Sequence, residues 1–94
     1  MAPDIEWDNA KNAALKGRYG FGFERILVAL AEGALLDERS HPNEAKYRHQ
    51  RQLVVEMEGY AWVVPFVSGN GRVFFKTMFP SRRATREYLG DRNE

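Results

Sequence analysis

The sequence predicts an α+β domain in which two N-terminal helices pack on a three- to four-stranded antiparallel sheet and a C-terminal helix follows. Three observations carry this. Phe23, Ile26, Leu27 and Leu30 recur at helical spacing, apolar residues alternate at strand spacing from Leu53 to Phe79, and glycine-containing turns interrupt that alternation at Glu58-Gly59 and Ser68-Gly69-Asn70-Gly71. The 94 residues suffice for one compact core, so a single domain over 1–94 is expected.

Asp8 is suited to cap a first helix over 8–18, since its carboxylate can accept from the free amides of a first turn; Asn9 to Lys16 is rich in helix formers, and the helix ends around Gly20. The second helix carries the Phe23–Leu30 stripe and stops at Gly33, a residue that tolerates left-handed backbone. Ala34 to Asp37 makes a short strand. Arg39 to Gln50 is polar, contains Pro42 and Asn43, has no period, and reads as a loop.

Strands are predicted over 51–57, 60–67 and 72–79. A two-residue turn at Glu58-Gly59 sets Met57 opposite Tyr60 and Val55 opposite Trp62. A four-residue loop at 68–71 sets Val64 opposite Phe75 and Trp62 opposite Thr77. One face of this meander is then apolar: Leu53, Val55, Met57, Tyr60, Trp62, Val64, Phe66, Val73, Phe75 and Phe79. The other carries Val54, Glu56, Ala61, Val63, Pro65, Phe74, Lys76 and Met78, too apolar to stand bare, so the terminal helix or a partner is expected to cover it. Pro80 stops the last strand, Ser81 can cap, and Arg82 to Leu89 forms the closing helix before Gly90.

Composition excludes several functions. With no cysteine there is no disulfide, thiolate metal site or cysteine nucleophile. No apolar run approaches the roughly 20 residues that cross a bilayer, and Met1-Ala2-Pro3-Asp4 lacks the pattern of a secretion signal, so a cytoplasmic location with no membrane contact is expected. The net charge of +1 is unevenly spread: residues 1–38 hold 4 Lys or Arg against 7 Asp or Glu, while residues 39–94 hold 10 against 6. A basic second half suits a phosphate-bearing partner, although such asymmetry also arises by chance.

The densest chemistry lies in Arg39 to Arg51, which holds both histidines, His41 and His49, with Lys46, Tyr47 and Arg48. Metal-free RNA cleavage needs a base for the 2′-hydroxyl, an acid for the leaving oxygen and fixed cations for the phosphate, and these side chains suit those roles. The same segment fits a solvated loop anchored by Tyr47. No third ligand has metal-binding spacing, so neither a metal nor another cofactor is expected. Lys76 either fixes a phosphate or pairs across the sheet with Glu56. Ser81 and Arg82, at a helix start, suit a phosphate, whereas Arg83 and Arg86 fit an ordinary wet helix face. Among the aromatics, only Phe74 and Phe21 remain candidates for base stacking. Gly20-Phe21-Gly22 lacks a preceding strand and reads as a helix connection.

Ile5-Glu6-Trp7-Asp8-Asn9-Ala10-Lys11-Asn12, followed by Gly20-Phe21-Gly22-Phe23-Glu24, resembles the N-terminal signature of BrnT-type toxins. The segment from Lys76-Thr77-Met78-Phe79-Pro80-Ser81 through Ala84-Thr85 to Tyr88-Leu89 resembles that family's last strand and final helix. The resemblance implies a RelE-like fold and the toxin of a type II toxin–antitoxin system, a ribonuclease that inhibits translation. It also implies a BrnA-like ribbon-helix-helix antitoxin as partner, with operator DNA contacted only through that antitoxin. Arg51 and Lys76 match the kinds of position RelE-like proteins use on their sheet, and with His41 and His49 they form the expected catalytic set. Lys46, Tyr47, Arg48, Ser81 and Arg82 form the expected RNA-binding set. The His41–Tyr47 loop and Pro80 depart from the family pattern. The competing expectations are a non-enzymatic module docking a partner on its second sheet face, and a nuclease that nicks DNA.

Overall fold

The computed structural model describes residues 4–47 and 49–90. The chain runs β1 (Asp4–Trp7), α1 (Asn9–Tyr19), α2 (Phe23–Ala31), β2 (Leu35–Ser40), β3 (Gln50–Met57), β4 (Tyr60–Gly69), β5 (Arg72–Phe75), β6 (Phe79–Pro80) and α3 (Arg82–Leu89). The α+β class, the two N-terminal helices and the C-terminal helix are as the sequence predicts. The sheet is larger and mixed. Its order is β1-β5-β4-β3-β2, with β6 paired to β4, and β1 lies parallel to β5. The all-antiparallel, three- to four-stranded expectation is therefore corrected. Ile5 and Trp7 alternate with Asp4 and Glu6, and their inward side chains pack on the core, which is what makes so short a segment a strand.

Local chemistry explains the element ends. Asp8 accepts from Lys11 N–H at 2.8 Å, and Gly20, at φ 86°, takes the left-handed conformation that closes α1. Between the helices Asn12 does two things: its Oδ1 accepts from the buried Phe23 N–H at 2.7 Å and its Nδ2 donates to Glu24 at 2.9 Å. A side chain on α1 thus caps α2, whose own N-cap is glycine. Gly22 is required there, because an added Cβ would overlap Asn12 Oδ1 and lie 3.0 Å from its Cγ.

The β3–β4 register is as predicted, with Met57 opposite Tyr60 and Val55 opposite Trp62 across Glu58-Gly59, whose φ values of 57° and 74° suit a type I′ turn. The next register differs. Only Asn70-Gly71 forms the loop, so Phe75 pairs with Phe66 instead of Val64. Because the shift is two residues, every side chain keeps its predicted face up to Phe75. The predicted strand 72–79 then breaks: Lys76 donates its N–H to Pro65 O, and pairing resumes with Phe79 opposite Val63 and Pro80 opposite Trp62. This break reverses two predictions, since Met78 enters the core at 1% exposure while Phe79 turns outward at 39%.

The main core lies between the sheet and α1/α2, around Phe23, Ile26, Met57, Val64 and Phe75. A second, smaller core sits on the other face, where Ala84, Tyr88 and Leu89 of α3 cover Val54, Ala61 and Val63. The terminal helix, one of the two expected covers, occupies that part of the face. Its seat is polar as well as apolar. Thr85 Oγ1 accepts from Ala61 N–H at 2.9 Å and donates to Ser81 O, while Tyr88 donates to Asp37. Among the described residues no helix is long and apolar enough to cross a membrane.

Candidate functional site

The segment from His41 to His49 connects β2 to β3 at the end of the sheet where β4 finishes. Arg39 and Ser40, expected in the loop, belong to β2, which runs further than predicted. Lys46 and Tyr47 amides fold back on Asn43 O, and Gln50 N–H donates to Tyr47 O at 2.8 Å, so the loop closes on itself in tight turns. His41 and Tyr47 meet with ring centroids 4.3 Å apart, and Lys46 Nζ lies 5.2 Å from the Tyr47 ring. Asn43 N–H donates to His41 Nδ1 at 3.0 Å. That bond needs an unprotonated Nδ1 and leaves the imidazole proton on Nε2. His41 and Tyr47 are half-buried, whereas Lys46 and His49 are exposed. Arg48 lies outside the described residues.

Arg51 follows in β3, opposite Ser40 and Phe66. Its Nε bonds Glu38 at 3.0 Å and its Nη1 reaches Ser40 Oγ at 3.4 Å. Both partners of the ion pair are about half exposed, so the pair is weak and a phosphate can replace the carboxylate. Arg39 is committed differently. Its Nε donates to the buried Gln52, and its Nη1 reaches Glu87 and the Tyr88 hydroxyl, tying β2 and β3 to α3. Tyr88 is held above its ordinary pKa, first by the bond to Asp37 and then by burial, so the phenol stays neutral in this network.

The structure separates the remaining expected site residues. Arg51 alternates with Leu53 on the α1/α2 face, while Lys76 sits beside Pro65 on the opposite face, with Nζ 5.6 Å from the Phe74 ring. Glu56 pairs with Ala61, several residues along β4 from Pro65, so the Glu56–Lys76 pairing allowed by the sequence is not formed. Ser81 accepts from Ala84 N–H at 3.0 Å as the cap of α3, and its own N–H bonds Ala61 O. Arg82 is exposed beside it. His41, Lys46 and Tyr47 therefore form one cluster with Arg51 at its border, and Lys76, Ser81 and Arg82 belong to the far side of the sheet. The exposed Phe79 also lies on that side; periodicity missed it because the break before it is invisible to alternation.

Among the described residues no three His, Asp or Glu side chains converge to hold a metal ion. A shallow groove at the α1–α2 junction, lined by Lys16, Phe21, Gly22 and Arg25, contains none of the expected catalytic or RNA-binding set; Phe21, the second stacking candidate, packs edge-on against Trp62 with ring centroids 5.1 Å apart. No family model matches the sequence, and no curated protein or solved structure matches it.

Proposed function

We propose that this protein is the toxin of a type II toxin–antitoxin pair and acts as a metal-independent ribonuclease, with the His41–Tyr47–Lys46 cluster as its reactive centre. The observation that carries the chemistry is the ordering of that loop, which brings a half-buried imidazole, a phenol and an ammonium into contact at the end of the sheet. The toxin role and the RelE-like relationship rest on the resemblance at the two ends of the chain. Those ends supply mainly structural parts, including the caps Asp8, Asn12 and Ser81 and the Thr85 anchor.

In this reading the 2′-oxygen of RNA attacks the adjacent phosphorus and the 5′-oxygen leaves, giving a 2′,3′-cyclic phosphate and a 5′-hydroxyl end. The exposed His49 takes the 2′-hydroxyl proton. The Nε2–H of His41 hydrogen-bonds the departing 5′-oxygen, the proton taken by His49 returns to that oxygen through solvent, and Lys46, with Arg51 released from Glu38, balances the charge growing on the phosphate. Tyr47 holds the His41 ring. A BrnA-like antitoxin would silence the toxin in the cytoplasm.

Inducible expression with a growth curve tests this. The wild-type chain should arrest growth and His41→Ala should relieve the arrest while remaining folded. A folded wild-type protein that is harmless and leaves RNA intact would favour a non-enzymatic interaction module.

A further inference from the structure

We infer that the half of the second sheet face left open by α3 is a binding strip for single-stranded RNA, with Phe74 and Phe79 carrying unpaired bases and Lys76 taking a phosphate. The inference rests on the ribonuclease reading and adds where, and in what form, the strand is held.

The register builds the strip. Val67, Pro65 and Val63 are successive β4 positions on this face, Val63 lying under α3 and Pro65 buried; Phe74 pairs with Val67, the Lys76 N–H donates to Pro65 O at 2.8 Å, and Phe79 pairs with Val63. Phe74, Lys76 and Phe79 therefore stand in line at two-residue steps of about 7 Å. The line exists because the chain takes one more residue between Lys76 and Phe79 than β4 takes between Pro65 and Val63. Such an irregularity re-aims side chains. Here it buries Met78 at 1% exposure and presents Phe79 at 39%, giving up the larger apolar burial.

The charge on the strip is positive. Lys76 Nζ lies over the Phe74 ring at 5.6 Å, and among the described residues no carboxylate pairs with Lys76. The two rings stand two such steps apart, about 14 Å or roughly four times the ~3.4 Å rise of a stacked strand, so they suit bases separated from one another and not a duplex. An acidic peptide would satisfy Lys76 and leave both rings unused, which favours RNA.

The test uses a fluorescent RNA oligonucleotide with 2′-O-methyl riboses, which cannot be cleaved, offered single-stranded and as a duplex to the full chain. Anisotropy should show the single strand bound at least tenfold more tightly. Phe74→Leu and Phe79→Leu should each weaken binding about tenfold at unchanged thermal stability. Lys76→Glu, at an exposed site, should weaken it further and flatten its salt dependence. Wild-type binding that both leucine variants retain in full, or that prefers duplex, would overturn the strip and leave the ribonuclease reading standing. A wild-type protein that neither binds this probe nor cuts ordinary RNA would remove both.

Discussion

Replacing Asn12 with alanine should cost this domain more than any exposed substitution, and the structure supplies the magnitude. The Phe23 N–H is buried and its acceptor is Asn12 Oδ1 at 2.7 Å, so truncation leaves a donor unsatisfied, a loss of about 1–3 kcal/mol. The cap on α2 is worth about 1 kcal/mol and is largely the same bond, so the two figures are not summed. The Nδ2 bond to Glu24 adds little, because the Glu24 side chain is 52% exposed. A total near 2 kcal/mol follows, or a drop in Tm of roughly 8–16 °C for a domain of this size. Gly22→Ala should cost a similar amount by displacing the same side chain. The informative assay is the double-mutant cycle in urea. Once Asn12 is alanine, the Gly22 methyl meets only the flexible Lys16 side chain, whose Cγ is 3.1 Å away and can give, so the two losses should fall well short of adding. An Asn12→Ala loss below about 0.5 kcal/mol, or strict additivity with Gly22→Ala, would refute the reasoning.

Three further outcomes follow from named contacts. Tyr88 has its pKa raised by Asp37 and by burial, so its contribution is present below about pH 10 and is lost as pH rises through the folded-state value. Urea melts from pH 8 to 11.5 should show that alkaline loss in the wild type and not in Tyr88→Phe, which should itself be destabilised by about 1–2 kcal/mol. Glu24 has its pKa lowered, chiefly by the Asn12 bond, so its smaller contribution is present above about pH 4.5 and disappears as pH falls; acid titration of Glu24→Gln should lack that component. Ser81→Ala removes the α3 cap and should cost about 1 kcal/mol, read by thermal melting.

Much of this fold is legible in the sequence where a local rule has one solution. Asp8, Gly20, Ser81 and the Glu58-Gly59 turn each act as their residue types dictate, and the apolar alternation through β3 and β4 identifies the core face. The failures come from non-local choices. Asp4–Trp7 is too short to signal a strand by period and becomes one through parallel pairing with β5, distant in sequence. Asn70-Gly71 made the tighter of two possible turns, which lengthened β4 and slid β5 by two residues without turning over its faces. The irregularity at Lys76–Met78 exchanged the predicted places of Met78 and Phe79, and alternation cannot detect it.

The candidate site was legible in composition and not in geometry. Concentration of His41, Lys46 and Tyr47 in one polar segment identified the loop, and the structure brings those three into contact. Arg51 and Lys76 read alike in sequence as strand cations; the pleat sends them to opposite faces, one to Glu38 and one to Phe74. Arg39 shows the opposite confusion. It sits among the basic loop residues in sequence, yet it serves as the bracket that joins β2 and β3 to α3.

The most direct measurement is incubation of the purified protein with single-stranded RNA in EDTA, with the product ends identified. The wild-type protein should cleave the RNA in EDTA and leave 2′,3′-cyclic phosphate and 5′-hydroxyl ends, and folded His41→Ala should not cleave it. RNA left intact by folded wild-type protein, or cleavage that His41→Ala retains in full, would contradict it.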